Sequence, residues 1–131
     1  MKYKLTKNTK EVAGITLYQI QALKDFGDAK EGDLGGWIEK EANLSQENNC
    51  WVYGNAWVYG DAWNKTPLHI HGTKHCLTNS KYGHITIGCK TETIDWWLSE
   101  EAERFAKDNG YSYGDICEYK EYILLIKRVG F

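Results

Sequence analysis

Residues 51–63 read WVYGNAWVYGDAW, a six-residue unit written twice with a Trp left over. Val52 and Val58 stand six apart, Ala56 and Ala62 follow each of them by four, and Gly54-Asn55 and Gly60-Asp61 lie between. A repeat this tight is one structural step used again, with Val and Ala facing inward and Gly supplying the corners. Upstream, Ile38 with Ala42 and Leu44 with Asn48 fit the same frame before a two-residue slip at Asn49 and Cys50. That makes about four steps of the repeat.

An aliphatic residue every six positions, a small residue four later and Gly-Asn or Gly-Asp between them resembles the hexapeptide repeat of left-handed parallel β-helices. The resemblance implies triangular coils of three steps, with aliphatic side chains inside and small residues at the corners. Roughly one coil and a third would form here, too few to bury their apolar face without stacked neighbours. Flanking strands or another subunit must therefore cap the segment. The likeness to hexapeptide acyltransferases stops at the coil, because no CoA-binding loop or long helix-coil architecture is visible, and a fold does not supply a function.

Outward from the repeat, the 131 residues suit one domain in three regions. Residues 1–41 hold N-terminal strands and turns, 42–64 the repeats, and 65–131 a β-hairpin with a two-helix cap. Lys2 to Thr6 reads as a short strand, and Ile15 to Leu23 fits strand or helix. Gly27, Gly32, Gly35 and Gly36 among Asp25, Asp28 and Asp33 mark turns, and the Gly pair before Trp37 reads as a turn feeding a strand. LHIHG and HITIGC alternate like half-buried strands, with NSKYG between them as the hairpin turn. Thr93 can cap a helix whose stripe of Ile94, Trp97, Leu98, Ala102, Phe105 and Ala106 stops at Asn109-Gly110. Ser112 and Asp115 form a capping-box pattern for a second helix carrying Ile116, Tyr119, Ile123 and Ile126. The expected fold class is α+β: N-terminal strands, a short left-handed β-helix-like segment, a β-hairpin and two C-terminal helices.

Sixteen Lys and Arg against eighteen Asp and Glu give a net charge of -2, so no global field favours duplex nucleic acid. No signal-like h-region opens the chain, and no run approaches the roughly 18 apolar residues of a membrane span. A bacterial cytoplasmic location is expected. Cys50, Cys76, Cys89 and Cys117 form no CxxC pair and read as reduced thiols.

The stretches DLGGWIEKEANLS, CWVYGNA and HITIGCKTETIDWW together resemble a group of small phage and prophage proteins with hexapeptide-like VYGNA repeats. The resemblance implies a phage origin and a non-catalytic role, and it assigns no functional residue.

With Val and Ala inward, Trp51, Trp57 and Trp63 and the neighbouring Tyr53 and Tyr59 are expected to face outward. Monomers rarely leave so large an apolar area bare. The cover is the protein's own helices, further copies of the chain in a homo-oligomer, or a ligand. In the ligand case the rings would stack a base while Lys65, Lys74 or Arg104 met phosphate. His69 and His71 share a strand face and are candidate metal ligands with His75, His84 or Cys76, although the spacing matches no zinc finger and the same strand reading leaves them solvated. His84 and Cys89 lie five apart, on opposite sides of one strand, so a thiol and base pair with Asp95 would need a bulge. No catalytic residue, metal or cofactor is assigned. The reading is a non-enzymatic binding protein of phage origin that antagonises bacterial immunity by sequestering a signalling nucleotide or masking a host defence protein. Its alternatives are an oligomeric structural or assembly protein of a phage and a metal-dependent enzyme using the His cluster.

Overall fold

The computed structural model describes all 131 residues and divides into two compact units, Met1–Pro67 and Leu68–Phe131. No helix is long and apolar enough to cross a membrane.

In the first unit, β1 (Tyr3–Val12) and β2 (Ile15–Ala22) form an antiparallel hairpin, and β2 pairs antiparallel with β3 (Leu34–Ile38). The stretch that fits strand or helix is thus a strand, with Leu17, Ile20 and Ala22 buried. A single 3-10 turn at Glu41–Asn43 leads toward the repeat, of which only Trp57–Val58 forms a strand, β4. It lies parallel to β3, with Trp37 opposite Trp57 and Ile38 opposite Val58, and the sheet order is β1-β2-β3-β4.

The left-handed β-helix is therefore not formed. The repeat pairs with other strands through that two-residue strand, one parallel bridge between Leu44 and Trp63, and bonds from Gly36 N to the Val52 carbonyl (2.6 Å) and from Trp37 N to the Ala56 carbonyl (3.1 Å), while Ala56 N to the Tyr53 carbonyl and Asp61 N to the Tyr59 carbonyl close turns within it. About four steps leave no stacked neighbour to pair with along a coil, and the repeat is instead the edge of a mostly antiparallel sheet. Its two copies are not equivalent either: Ala56 is buried and Ala62 is exposed.

The Gly35-Gly36 pair decides where the rings go. Both glycines sit within β3 rather than in a turn before it. A Cβ on Gly35 would lie 2.5 Å from the Trp51 indole, and one on Gly36 would lie 2.4 Å from the Ala56 carbonyl oxygen and 2.6 Å from Val52. The bare backbone thus leaves a slot that the Trp51 ring fills, edge-on to Phe26 and Tyr3 at centroid distances of 5.1 and 6.2 Å.

Side chains close the rest of this unit. The Lys2 ammonium is buried and donates to the carbonyls of Asn48 (2.9 Å) and Cys50 (2.6 Å), where the repeat slips by two residues. Burial lowers its pKa from the usual lysine value. Gln46 acts as a substitute strand neighbour, its Oε1 accepting from Lys2 N and Tyr3 N and its Nε2 donating to the Tyr3 carbonyl. The buried Asn43 side chain accepts from Lys40 N and donates to the Asp61 carbonyl, drawing in the second copy of the repeat.

The second unit is a four-stranded antiparallel meander in the order β5-β6-β7-β8, built from His69–His71, Cys76–Lys81, His84–Ile87 and Lys90–Thr93. The expected hairpin of LHIHG with HITIGC is thereby corrected, since β6 runs between the two and the turn is Tyr82-Gly83 alone. Strand β6 is polar yet buried because its groups find partners. Asn79 accepts from Leu68 N (2.7 Å) and donates to the Gly130 carbonyl (2.8 Å), and the Ser80 hydroxyl meets that of Thr86.

Three helices follow: α1 (Ile94–Trp97), α2 (Glu100–Asp108) and α3 (Tyr113–Val129). Thr93 caps α1 by accepting from Trp96 N, but the helix breaks at Leu98 and restarts because Ser99 caps α2 by accepting from Ala102 N. Ser112 and Asp115 cap α3 reciprocally. Helix α3 buries Ile116, Tyr119, Ile123 and Ile126, and the last three join Leu77, Ile85, Ile87 and Trp97 in the core of this unit. Tyr119 also clamps the loop between β5 and β6: its hydroxyl accepts from Lys74 N (2.8 Å) and His75 N (2.6 Å) and donates to the His75 carbonyl.

Two substitutions test these contacts. Gly36→Ala is expected to destabilise the first unit by about 1–3 kcal/mol through overpacking against backbone that cannot yield, read as a fall in the denaturant midpoint. Tyr119→Phe leaves two loop amides without their acceptor and is expected to cost about 1–3 kcal/mol in the second unit, with faster amide exchange at Lys74 and His75.

Candidate functional site

The expected outward rings are mostly inside. Trp51, Trp57 and Trp63 are 2%, 6% and 1% exposed, so the first unit spends all three on its core. Only the tyrosines between them reach the surface, Tyr53 exposed and Tyr59 half-buried, with Tyr59 stacked on Trp57 at 5.3 Å. The stacking face postulated for a base does not exist as such. Of the cations assigned to phosphate, Lys65 is exposed in the first unit and Arg104 is exposed on α2. Lys74 lies in the β5–β6 loop, donates to the Gly110 carbonyl and pairs with Asp115 at 3.8 Å.

The cavity lies elsewhere, wholly within the second unit. Its floor is Ile87 and Trp97 from the sheet and α1 with Ile116, Tyr119 and Ile123 from α3, and its mouth carries Phe105, Tyr111, Cys89, Lys90 and the Glu103-Lys120 ion pair. The cavity volume is about 140 Å³. An apolar cavity of roughly 150 Å³ takes up a benzene-sized ring, so this one admits a single ring and excludes a larger fused body from its depth.

Each wall is fixed by its own bonds. The Trp97 indole N–H donates to the Ile85 carbonyl (2.8 Å), which locks the ring across the floor. Tyr111 stands edge-on to Tyr119 at 5.1 Å, and its hydroxyl lies 2.6 Å from His75 Nδ1. Burial and the neighbouring Tyr119 raise the Tyr111 pKa well above the ordinary tyrosine value, so it stays a neutral hydrogen-bonding group. The Lys90 ammonium sits 4.9 Å from the centroids of both Trp96 and Phe105 and 3.3 Å from Glu92. The site therefore combines an apolar slot for one ring with two ammonium groups at its rim. No motif in the sequence announces it, because its residues come from positions 75 to 123 and are joined only by the packing of α1, α2 and α3 on the meander.

The histidines divide. His69 and His71 on β5 and Cys76 on β6 come together, with ligand atoms all within 4.8 Å of one another. His75 is engaged by Tyr111 and lines the cavity, and His84 Nδ1 meets the Tyr82 carbonyl at 2.9 Å. Cys89, in the β7–β8 turn, lines the cavity mouth.

Among curated proteins, the chain is similar to YdcK of Escherichia coli (strain K12), named an uncharacterised acetyltransferase, with 51% identity over 39 residues. The likeness covers 30% of this chain and 12% of that protein, so the chain matches only a small part of its relative's length. Comparison with known protein families gives no match, and comparison with solved structures gives none.

Proposed function

We propose that this chain is a non-enzymatic binding protein that sequesters a small molecule carrying an aromatic ring and an anionic group. A signalling nucleotide is the ligand class. The observation that carries the reading is the apolar cavity of the second unit, sized for one ring, with Lys90 and Lys120 at its rim. A base edge would enter between Trp97 and Phe105, and the phosphate would remain at the mouth, where ammonium groups meet it without desolvating it fully. Removing such a signal from the cell is how a phage protein would blunt bacterial immunity, an extension that rests on the resemblance to phage proteins alone.

Acyl transfer is not part of the reading. The acetyltransferase likeness spans too little of its relative to carry an activity, and His75, the histidine at the cavity, is tied to Tyr111.

A second reading, masking of a host protein, is favoured by α3, on which Tyr113, Leu124 and Leu125 are 80%, 41% and 42% exposed. Large exposed apolar groups on one helix suit a protein partner or another copy of the chain.

Titration of the protein with linear and cyclic uracil and cytosine nucleotides, whose bases are single rings, separates the two, with Trp fluorescence as the readout. Saturable quenching is expected, weakened at least about tenfold by Phe105→Ala and by Lys90→Ala, in line with a stacked base at about 1–3 kcal/mol. Tyr53→Ala, in the other unit, should leave it unchanged. Quenching that is absent, or indifferent to Phe105→Ala, rejects the nucleotide reading and turns attention to the α3 face.

A further inference from the structure

The geometry points to a zinc(II) site on the β5–β6 hairpin, formed by His69, His71 and Cys76 with solvent in the fourth position. His71 and Cys76 are directly opposite each other in the antiparallel pairing, and His69, two residues before His71, shares its face of the strand. Cys76 Sγ already lies 3.2 Å from His71 Nδ1, and the two imidazole centroids are 4.9 Å apart.

Bond lengths decide whether an ion fits. Tetrahedral zinc, with Zn–S of about 2.3 Å and Zn–N of about 2.0–2.1 Å, holds its ligand atoms about 3.3–3.6 Å apart. The three donors lie within 4.8 Å of one another, so side-chain rotation of about 1 Å closes the set without moving the strands.

A second observation concerns the tautomer. His69 Nδ1 lies 2.6 Å from the hydroxyl of Thr78, its cross-strand partner, which is itself buried. Zinc-bound histidines commonly donate their other ring N–H to such a group, which fixes the ring and raises its basicity. His69 would then ligate through Nε2 while Nδ1–H donates to Thr78.

The hairpin is also anchored. Tyr119 holds Lys74 and His75 in the connecting loop, and Glu118 accepts from Thr73 N and from the Thr73 hydroxyl. Cys76 and His71 are thus held opposite each other before any ion arrives. His71 is exposed and Cys76 half-buried, which leaves a path from solvent. Two imidazoles and a thiolate suit zinc, whereas magnesium and calcium prefer oxygen donors. Binding replaces the thiol proton with the metal and releases that proton to water.

The test is cobalt(II) titration of the full-length, metal-stripped protein under reducing conditions, followed by displacement with zinc and elemental analysis. One equivalent should give the intense visible bands of tetrahedral cobalt with a thiolate-to-metal charge-transfer band, and zinc should remove both. Cys76→Ser should abolish the charge-transfer band, and His71→Gln should reduce the affinity at least about tenfold. His84→Gln and Cys89→Ser should match the wild type. Absence of a tetrahedral spectrum in the wild type, or a charge-transfer band lost in Cys89→Ser, overturns the assignment. Should Cys76→Ser fail to fold, the His71→Gln titration decides alone: unchanged affinity rejects the site.

Discussion

The first unit depends on the close approach of β3 to the start of the repeat, which is possible only because residues 35 and 36 have no side chains. That approach sets the Gly36 N to Val52 carbonyl bond, seats the Trp51 ring and places Val52 and Ala56 in the core. Once Trp51 is inside, Phe26 and Tyr3 have an aromatic surface to pack on, and the hairpin of β1 and β2 gains its core. The repeat contributes its small period, but the two glycines about fifteen positions upstream determine which of its residues are buried.

How much of this was legible in the sequence varies with the range of the contact that decides it. Local signals read well: the Ser112 and Asp115 pattern caps α3, and the inward Val52, Val58 and Ala56 are buried. Inward Trp residues were not legible, because the period alone assigns a side but does not reveal a slot on another strand. Strand β6 was hidden for a different reason. Its Thr78, Asn79 and Ser80 look like turn residues, and only hydrogen bonds to Leu68, Gly130, Thr86 and His69 make their burial tolerable. The break before α2 was concealed because Leu98 continues the apolar stripe while Ser99 supplies a cap that competes with it. The cavity follows from the packing of three helices on a meander and has no linear trace. His69 and His71 were legible as a pair, while the cross-strand place of Cys76 needed the register.

The aromatic residues that make the composition unusual thus serve different ends in the two units. Trp51, Trp57 and Trp63 are core, held by a strand that has been emptied to receive them. Trp97, Phe105 and Tyr111 are walls, each oriented by a polar or edge-on contact that leaves part of its surface facing a void. The second arrangement is the one that can accept a ligand, because its unfilled volume is bounded by groups already fixed.

The side-chain stitching of β1 sets the order in which the first unit can assemble. Lys2 and Tyr3 are bound by Gln46, Asn48 and Cys50, at sequence separations of 43 to 48 residues. Loops of that length must close before any of those bonds rewards the chain, just as the second unit must close 44 to 51 residues before Tyr119 holds Lys74 and His75 and Asn79 holds Gly130. During synthesis Lys2, just ahead of β1, waits for residue 50 before its ammonium group has carbonyls to hold, so β1 can pair with β2 well before its other edge is closed.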